Sequence, residues 1–253
     1  MQHLLTPAGD AALAEMVRQP MLLAFDFDGT LAPIVARPEL VEVSAGVSDR
    51  LRRLSELTTV AVITGRSLAD VQPRLGFEPR YLVGNHGAEG ALSGALLSPD
   101  WSHRVHARLA EHRAPLDAAG VTVEDKGFSL ALHYRLAPDP EAAVRAIEAA
   151  LEGLSASHRV FGGKCVLNVA PANAPDKGDA LLQLVREARV SSALFVGDDV
   201  NDEPAFERAE PHWVTVRIGR EGPPSKARFC LDATVEVESM LERILALLSA
   251  TRP

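Results

Sequence analysis

Short apolar runs alternate with helical patterns along most of this chain, and this alternation restricts the fold more than any other feature. Predicted strands lie at 21–25, 59–64, 80–86, 193–197 and 212–219, and predicted helices at 46–57, 67–75, 177–188, 202–209 and 236–249. Strands that are apolar throughout are typical of a parallel sheet covered by helices on both faces. The sequence therefore predicts an α/β fold built on a parallel sheet.

The middle of the chain follows a different pattern. Residues 99–118 and 139–153 have helical periodicity, and each stretch is followed by two short runs that alternate as strands do. The resulting order, αββαββ, suits an antiparallel sheet with helices on one face. We therefore expect an α/β core formed by 1–97 and 171–253, with an inserted α+β domain at 98–170.

Composition excludes several classes of function. The 253 residues are 47% hydrophobic, enough for a sizeable core, and the net charge of −8 disfavours nonspecific nucleic-acid binding. Two cysteines, Cys165 and Cys230, indicate a reducing compartment without disulfides, and we expect both to be packing residues. No signal peptide or membrane span is evident. We expect a cytoplasmic protein that is a monomer, with neither a nucleic acid nor a membrane as partner.

Polar residues follow three of the predicted strands at the point where each strand ends. They are Asp26 and Asp28 after the first strand, Thr64, Gly65 and Arg66 after the second, and Asp198 and Asp199 after a late strand. In open α/β sheets the carboxyl ends of the strands form the ligand site. Three separate segments are therefore expected to converge on one site.

Clustered aspartates at that edge indicate a metal and a phosphate. Taken singly, each aspartate could cap a helix or turn a loop. Together, Asp26, Asp28 and Asp198 would accumulate negative charge, which Mg²⁺ bound by oxygen ligands would relieve. Asp26 is then the candidate nucleophile for an aspartyl-phosphate, and Asp28 the candidate acid and base, with its backbone carbonyl also a possible metal ligand.

Two further residues suit a phosphoryl group. Thr64 offers a hydroxyl and a loop N–H, and Lys177 begins a predicted helix, whose positive end adds to the ammonium charge. Both would stabilise the charge that spreads over the phosphoryl oxygens in the transition state.

These residues resemble the four motifs of the haloacid dehalogenase superfamily, in order: "DFDGT", "TGR", "DKG" and "GDDVNDE". Within it the chain is similar to trehalose-6-phosphate phosphatases, through "GNHGAEG", "VEDKGFSLALHYR", "GGKCVLNVAPANAPDKGDAL" and "GDDVNDEPAF". The resemblance implies a Rossmann-like core with an inserted cap. It also implies Mg²⁺-dependent hydrolysis of trehalose 6-phosphate to trehalose and phosphate.

The resemblance also assigns residues. Asp26, Asp28, Thr64 and Lys177 would keep the roles given above, and Asp199 and Asp202 would orient the metal shell around Asp26, Asp28 and Asp198. The expected substrate-binding residues are Gly65, Arg66, Asn85, His86 and Gly87 in the core, and Lys126, Lys164 and Asn168 in the cap. Asn168 departs from the family pattern, which has a glutamate there and a nearby basic residue that is also absent.

Three functions compete at this point. The leading one is a phosphatase acting on a sugar phosphate, most simply trehalose 6-phosphate, although the change at Asn168 admits a different sugar. A sugar phosphomutase would use the same aspartyl-phosphate but return the phosphoryl group to another hydroxyl. A non-enzymatic signalling domain phosphorylated on aspartate would be much shorter and would lack an inserted domain.

Overall fold

The computed structural model describes residues 1–35, 40–90, 101–154 and 157–251. Contacts divide the chain into two compact units, Met1–Leu92 with Pro175–Pro253, and Ser93–Ala174. The predicted junction near residue 97 lies outside the described residues. The domain bounds 1–97, 98–170 and 171–253 therefore stay a prediction.

The described residues contain the following elements. The strands are β1 (Gln2–His3), β2 (Met21–Phe25), β3 (Thr59–Ile63), β4 (Tyr81–Gly84), β5 (Glu89–Gly90), β6 (Thr122–Asp125), β7 (Leu130–His133), β8 (His158–Gly163), β9 (Val166–Pro171), β10 (Ser192–Gly197), β11 (Val214–Ile218) and β12 (Phe229–Leu231). The helices are α1 (Pro7–Met16), α2 (Ala45–Leu57), α3 (Leu68–Val71), α4 (His103–Glu111), α5 (Arg113–Ala118), α6 (Pro140–Leu151), α7 (Lys177–Ala188), α8 (Glu203–Glu207) and α9 (Glu236–Thr251).

The first unit is a sheet with helices on both faces, as the sequence predicts. In its described part eight strands lie in the order β1-β12-β11-β10-β2-β3-β4-β5, and only the pair β4 and β5 is antiparallel. All five residues of β2 are buried. Leu23 and Phe25 pack on one side with α2 and α9, whereas Leu22 and Ala24 pack on the other with α7. The continuous apolar run thus reflects burial of both faces.

The strand order brings the predicted site together. Strands β10, β2, β3 and β4 are neighbours and run parallel, so their carboxyl ends lie side by side. Asp198, Asp26, Thr64 and Asn85 are the residues that directly follow these four strands. The expected convergence at one edge of the sheet is therefore confirmed.

The second unit has the predicted order of elements. Its four described strands form an antiparallel sheet in the order β6-β7-β9-β8. Leu130, Leu132 and Val169 pack in one cluster with residues of α4 and α6. Ala131 pairs with Asn168 across β7 and β9, and strand alternation turns both side chains to the opposite face. The unit is an α+β layer with helices on one face.

Several local predictions need correction. The helix expected at 99–118 is two helices in its described part, because the backbone leaves helical geometry at His112. The helix expected at 202–209 is a 3-10 turn at Val200–Asp202 followed by α8. Cys230 is buried but Cys165 is exposed, since it lies at the left-handed turn (φ 61°) between β8 and β9; both cysteines are free. No helix within the described ranges is long and apolar enough to cross a membrane.

Candidate active site

Three aspartates and a lysine form a buried cluster at the carboxyl edge of the first sheet. Asp26 follows β2, Asp198 follows β10, and Asp202 ends the 3-10 turn. The Nζ atom of Lys177, the first residue of α7, lies 2.9 Å from Asp26 Oδ1 and 2.7 Å from Asp202 Oδ1. The relative exposure of Lys177 is 1%, that of Asp26 5% and that of Asp202 0%. A lysine buried to this degree is stable because it is paired on two sides.

Asp202 connects the lysine to the loop that carries Asp198. Its Oδ1 accepts from Lys177, and its Oδ2 accepts the backbone N–H groups of Asp198 and Asp199, both at 2.9 Å. The backbone must come close for these bonds to form. A Cβ atom at Gly197 would lie 2.3 Å from Asp202 Cγ, so glycine is required where β10 ends.

Burial raises the pKa of Asp26 well above its ordinary value. Lys177 opposes this effect, while the charges of Asp202 and Asp198 add to it. For Lys177, burial by itself would lower the pKa, but the attraction of Asp202 and Asp26 outweighs it and holds the pKa above its ordinary value. The lysine therefore stays charged, and a single cation faces three carboxylates. The cluster has an excess of negative charge that a further cation would relieve.

The cluster fits a metal ion. Carboxylate oxygens of Asp26, Asp198 and Asp202 lie within 4.8 Å of one another, an all-oxygen donor set of the kind that hard divalent cations prefer. Asp26 and Asp198 as metal ligands, with Asp202 beside them, stay a prediction. Gly29 (φ 76°) brings the turn after β2 against Asp198, and a Cβ there would lie 1.8 Å from Asp198 Oδ2.

A second group of possible metal ligands is His3, Asp232 and Glu236. Here the histidine acts as a hydrogen-bond donor instead. His3 Nδ1 accepts the N–H of Leu5 at 3.2 Å, which leaves the ring proton on Nε2, 3.2 Å from Glu236 Oε2. The group therefore fastens the β1 end of the chain to α9.

Asp28 is held by an arginine. Both of its oxygens accept hydrogen bonds from Arg66, at 2.7 Å from Nε to Oδ2 and 2.7 Å from Nη2 to Oδ1. Arg66 also donates from Nη1 to Asp70 Oδ2 at 2.6 Å, and Arg74 donates to Asp70 Oδ1 at 2.7 Å. The pKa of Asp70 would rise through burial, but hydrogen bonds from Arg74 and Arg66 hold it below its ordinary value. Asp28 thus lies at the end of a chain of alternating charges.

Thr64 and Gly65 fix the turn that follows β4. Thr64 is fully buried, its Oγ1 accepts the N–H of Arg66 at 3.2 Å, and its carbonyl accepts the N–H of His86 at 2.9 Å. The backbones of Asn85 and His86 are both left-handed, with φ of 49° and 59°. A Cβ at Gly65 would lie 2.4 Å from His86 Cε1, so Gly65 makes room for the imidazole ring.

Glu89 holds this turn from the other side, and sequence reasoning missed it. Its Oε2 accepts from Asn85 Nδ2 at 2.8 Å and from the N–H of Leu68 at 3.0 Å. Gly87 (φ 120°) lies against the carbonyl of Asp176, 2.7 Å from where its Cβ would be. Asn85, His86 and Gly87 are therefore buried parts of the site wall, and substrate contact by them stays a prediction.

The start of α7 is fixed by charges outside the cluster. Asp176 caps the helix and exchanges hydrogen bonds with Asp179 in a capping box. Arg208 donates to Asp176 from both terminal nitrogens and lies 3.0 Å from Asp179. Gly178 is in close contact with the carbonyl of Pro204, 2.5 Å from where its Cβ would be. Lys177 is thus presented by a helix end held against α8.

Asp199 adjoins the cluster of three aspartates, since its N–H donates to Asp202 Oδ2 at 2.9 Å. Asp199 caps the 3-10 turn through the N–H of Val200 at 2.7 Å. Lys126, Lys164 and Asn168 belong to the second unit. Lys126 Nζ is 3.8 Å from Glu124, the exposed Lys164 lies in the turn between β8 and β9, and Asn168 is buried in β9. Their roles in metal or substrate binding stay predictions.

Substrate contact by Arg66 stays a prediction, and in the structure its guanidinium donates to Asp28 and Asp70. The contact between Arg66 and Asp70 could have been predicted from the sequence. Arg66, Asp70 and Arg74 are spaced four residues apart, a spacing at which opposite charges meet along a helical turn.

The sequence matches one family model and several curated proteins. The family model for trehalose-phosphatase matches residues 24–233. A trehalose-phosphate phosphatase of Mycobacterium tuberculosis (strain ATCC 25618 / H37Rv) is 31% identical over 253 residues, covering 90% of this chain and 62% of the relative. An uncharacterized glycosyl hydrolase of the same strain is 36% identical over 254 residues, covering 90% of this chain but 18% of the relative.

The fold agrees as well. The C-terminal domain of the C. albicans trehalose-6-phosphate phosphatase superposes with a TM-score of 0.78 at 23% identity, covering 94% of this chain and 96% of that one. The fold expected from the motifs, a Rossmann-like α/β core with an inserted α+β domain, is thereby confirmed. The chain spans less than two thirds of the length of the two curated relatives, 18% and 62%. Because the family model matches residues 24–233 of the 253, the chain belongs to the trehalose-phosphatase family.

Proposed function

We propose that this chain is a Mg²⁺-dependent phosphatase that hydrolyses trehalose 6-phosphate to trehalose and phosphate. One observation carries the chemistry. The buried carboxylate of Asp26 lies 2.9 Å from a charged lysine, beside two further aspartates, where four neighbouring strands end. This combination of nucleophile, fixed cation and oxygen donors suits phosphoryl transfer through an enzyme-bound aspartyl-phosphate.

In the first step, Asp26 attacks phosphorus. A bond forms between its carboxylate oxygen and phosphorus, the phosphorus–oxygen bond to the sugar breaks, and the departing sugar oxygen receives a proton from Asp28. In the second step, Asp28 takes a proton from water, the water oxygen bonds to phosphorus, and the bond to Asp26 breaks. Phosphate leaves and both aspartates are restored.

Lys177 and Thr64 support the phosphoryl group. The ammonium group of Lys177 already contacts the attacking carboxylate of Asp26, so it would lie next to the phosphoryl group that Asp26 receives. Thr64 presents a fixed hydroxyl on the neighbouring strand end. Mg²⁺, held by Asp26 and Asp198 with Asp202 behind them, would neutralise phosphoryl oxygens when bound.

The substrate is inferred from family membership and from the relative named a trehalose-phosphate phosphatase. In the second unit, strand pairing and alternation place Glu124 and Asn168 on the face of the sheet opposite its helices. Lys126 lies in the turn after β6, and its Nζ is 3.8 Å from Glu124. Ammonium, amide and carboxylate groups suit hydrogen bonding to sugar hydroxyls. These three residues are the proposed sugar contacts.

Phosphate release from trehalose 6-phosphate with saturating Mg²⁺ tests the proposal. We expect turnover by the wild type and a loss of at least about 10³-fold in Asp26→Asn, which keeps the shape but removes the nucleophile. Asp49→Asn, an exposed aspartate on α2, is the matched control and should keep wild-type turnover.

Four results would contradict the proposal. Phosphate release by the Asp26→Asn variant equal to that of wild type would exclude Asp26 as the nucleophile. Undiminished release after chelation of divalent ions would exclude dependence on a metal. Turnover of glucose, mannose and sucrose phosphates tests the choice of substrate. Faster turnover of any of these, or a ³¹P NMR spectrum showing a phosphate moved to another hydroxyl, would replace trehalose 6-phosphate hydrolysis with a different reaction.

A further inference from the structure

In the structure, Asp28 is not positioned to donate a proton to the leaving group of a phosphate ester. The acid step needs a carboxyl oxygen directed at the leaving group, yet both oxygens of Asp28 accept from the guanidinium of Arg66, each at 2.7 Å. Two parallel bonds of this kind are charge-assisted and hold the carboxylate in one plane. The side chain must turn away from Arg66 before it can transfer a proton.

Of the two partners, Arg66 is the fixed one. Its side chain is 11% exposed, its guanidinium lies 5.2 Å from the Phe27 ring centroid, and its Nη1 donates to Asp70. These contacts remain when Asp28 leaves. The side chain of Asp28 is 39% exposed, so solvent-facing space is available for it to rotate.

The backbone at Asp28 is also fixed. The N–H of Gly29 donates to the carbonyl of Ala32 at 2.7 Å, and Asp28 and Ala32 form a β-bridge. Release is therefore a side-chain rotation about a stationary turn. It does not require a loop to move.

We propose that Arg66 is a specificity-determining residue, which holds Asp28 away from the reaction until a hydroxyl-bearing substrate takes over its guanidinium donors. This proposal rests on the proposed phosphatase function. A sugar phosphate carries hydroxyls that can accept from the guanidinium when Asp28 leaves. A small ester without hydroxyls leaves Arg66 on Asp28 and is turned over slowly. Discrimination thus arises at the proton-transfer residue as well as at the sugar contacts.

The test compares Arg66→Ala with wild type on two esters, trehalose 6-phosphate and phenyl phosphate, which has no hydroxyl beyond its phosphate. We expect kcat for phenyl phosphate to rise at least about fivefold in Arg66→Ala, because Asp28 is no longer withheld. The kcat for trehalose 6-phosphate should fall, because the substrate loses a contact. A merely structural role for Arg66 would lower both.

Arg74→Ala is the matched control, because it removes a guanidinium group that donates to Asp70 and does not donate to Asp28. This variant should keep the wild-type ratio of the two kcat values. If Arg66→Ala does not fold, Arg66→Lys serves in its place, because an ammonium group cannot make the two parallel hydrogen bonds of the guanidinium group. It should shift the ratio in the same direction by a smaller factor.

An unchanged or lower kcat for phenyl phosphate in folded Arg66→Ala, or in Arg66→Lys if only that variant folds, would overturn the proposal. Failure of the proposed function is a separate result. If wild-type protein turns over phenyl phosphate but not trehalose 6-phosphate, the substrate assignment fails, while the effect of Arg66 is still measured on the small ester.

Discussion

The lysine in the acidic cluster should be as important to folding as to chemistry. Lys177 is 1% exposed, and it neutralises part of the charge of Asp26 and Asp202, which are 5% and 0% exposed. Lys177→Met keeps the length of the side chain, so it leaves little cavity, but it leaves the two buried carboxylates without their cation.

The magnitude follows from this loss of pairing. Breaking a buried ion pair by removing one partner costs about 3–5 kcal/mol in the free energy of unfolding. For a chain of this size, each kcal/mol lowers the melting temperature by about 2–4 °C, so the expected drop is about 6–20 °C. Mg²⁺ bound at the proposed site would take over part of the neutralising role, so the drop should be smaller in saturating Mg²⁺ than after chelation.

Differential scanning calorimetry with and without Mg²⁺ measures these effects. Lys226→Met, a substitution of the same type at an exposed position, is the control and should shift the melting temperature by no more than about 2 °C. Adding Asp202→Asn to Lys177→Met should recover part of the loss, because one uncompensated charge is removed. If Lys177→Met melts within about 2 °C of wild type after chelation, the buried cluster does not depend on its lysine and the reasoning is refuted.

Three further outcomes follow from single positions. Gly29→Ala should weaken Mg²⁺ binding at least about tenfold in calorimetric titration, because the new Cβ would lie 1.8 Å from Asp198 Oδ2. Gly127→Ala is the control, since Gly127 has the same φ of 76° but no atom within 4 Å of the position of a Cβ. It should lower the free energy of unfolding only by the backbone strain, about 1–2 kcal/mol, and leave Mg²⁺ binding unchanged. Asp70→Asn should lower the melting temperature at pH 7, and the difference should shrink as the pH falls below the unfolded value of 3.8, because the folded pKa is depressed and its stabilising effect is lost on protonation. Asn168→Glu should narrow the panel of accepted sugar phosphates toward trehalose 6-phosphate, and an unchanged ranking of kcat/KM would show that this position does not select the sugar.

The elements that sequence predicted best are those with local causes. Strand β2 has the predicted bounds, because five apolar residues are buried on both faces and a charge stands directly after them. Helix α7 also has the predicted bounds, since Asp176 and Asp179 form the capping box that starts it. Neither prediction needed knowledge of a distant partner.

The elements that were missed depend on distant partners. Strand β1 has two residues and exists because it pairs with β12, more than 220 residues later. The break at His112 interrupts a helical periodicity that continues on both sides, with Leu109 and Leu116 buried in one core. Pro115 was the one local signal, since proline is tolerated in the first turn of a new helix and not in the middle of a long one.

The site shows the same division. Residue types and strand ends predicted that Asp26, Asp198 and Lys177 would meet, because parallel strands bring their carboxyl ends to one edge. They could not predict that Asp28 would be bound by Arg66, since the direction of a side chain is decided by packing against Phe27 and by the second carboxylate at Asp70. Glu89 was missed for the same reason.

The two oxygens of Asp202 have one consequence for protein engineering. One of them anchors the ammonium group of Lys177, and the other anchors the amides of Asp198 and Asp199. A library that varies position 202 alone therefore disturbs the proposed phosphate-binding and metal-binding halves of the site in the same clone. Active clones with altered ion preference should emerge from libraries that vary positions 177 and 202 jointly, and be rare in libraries that vary either position by itself.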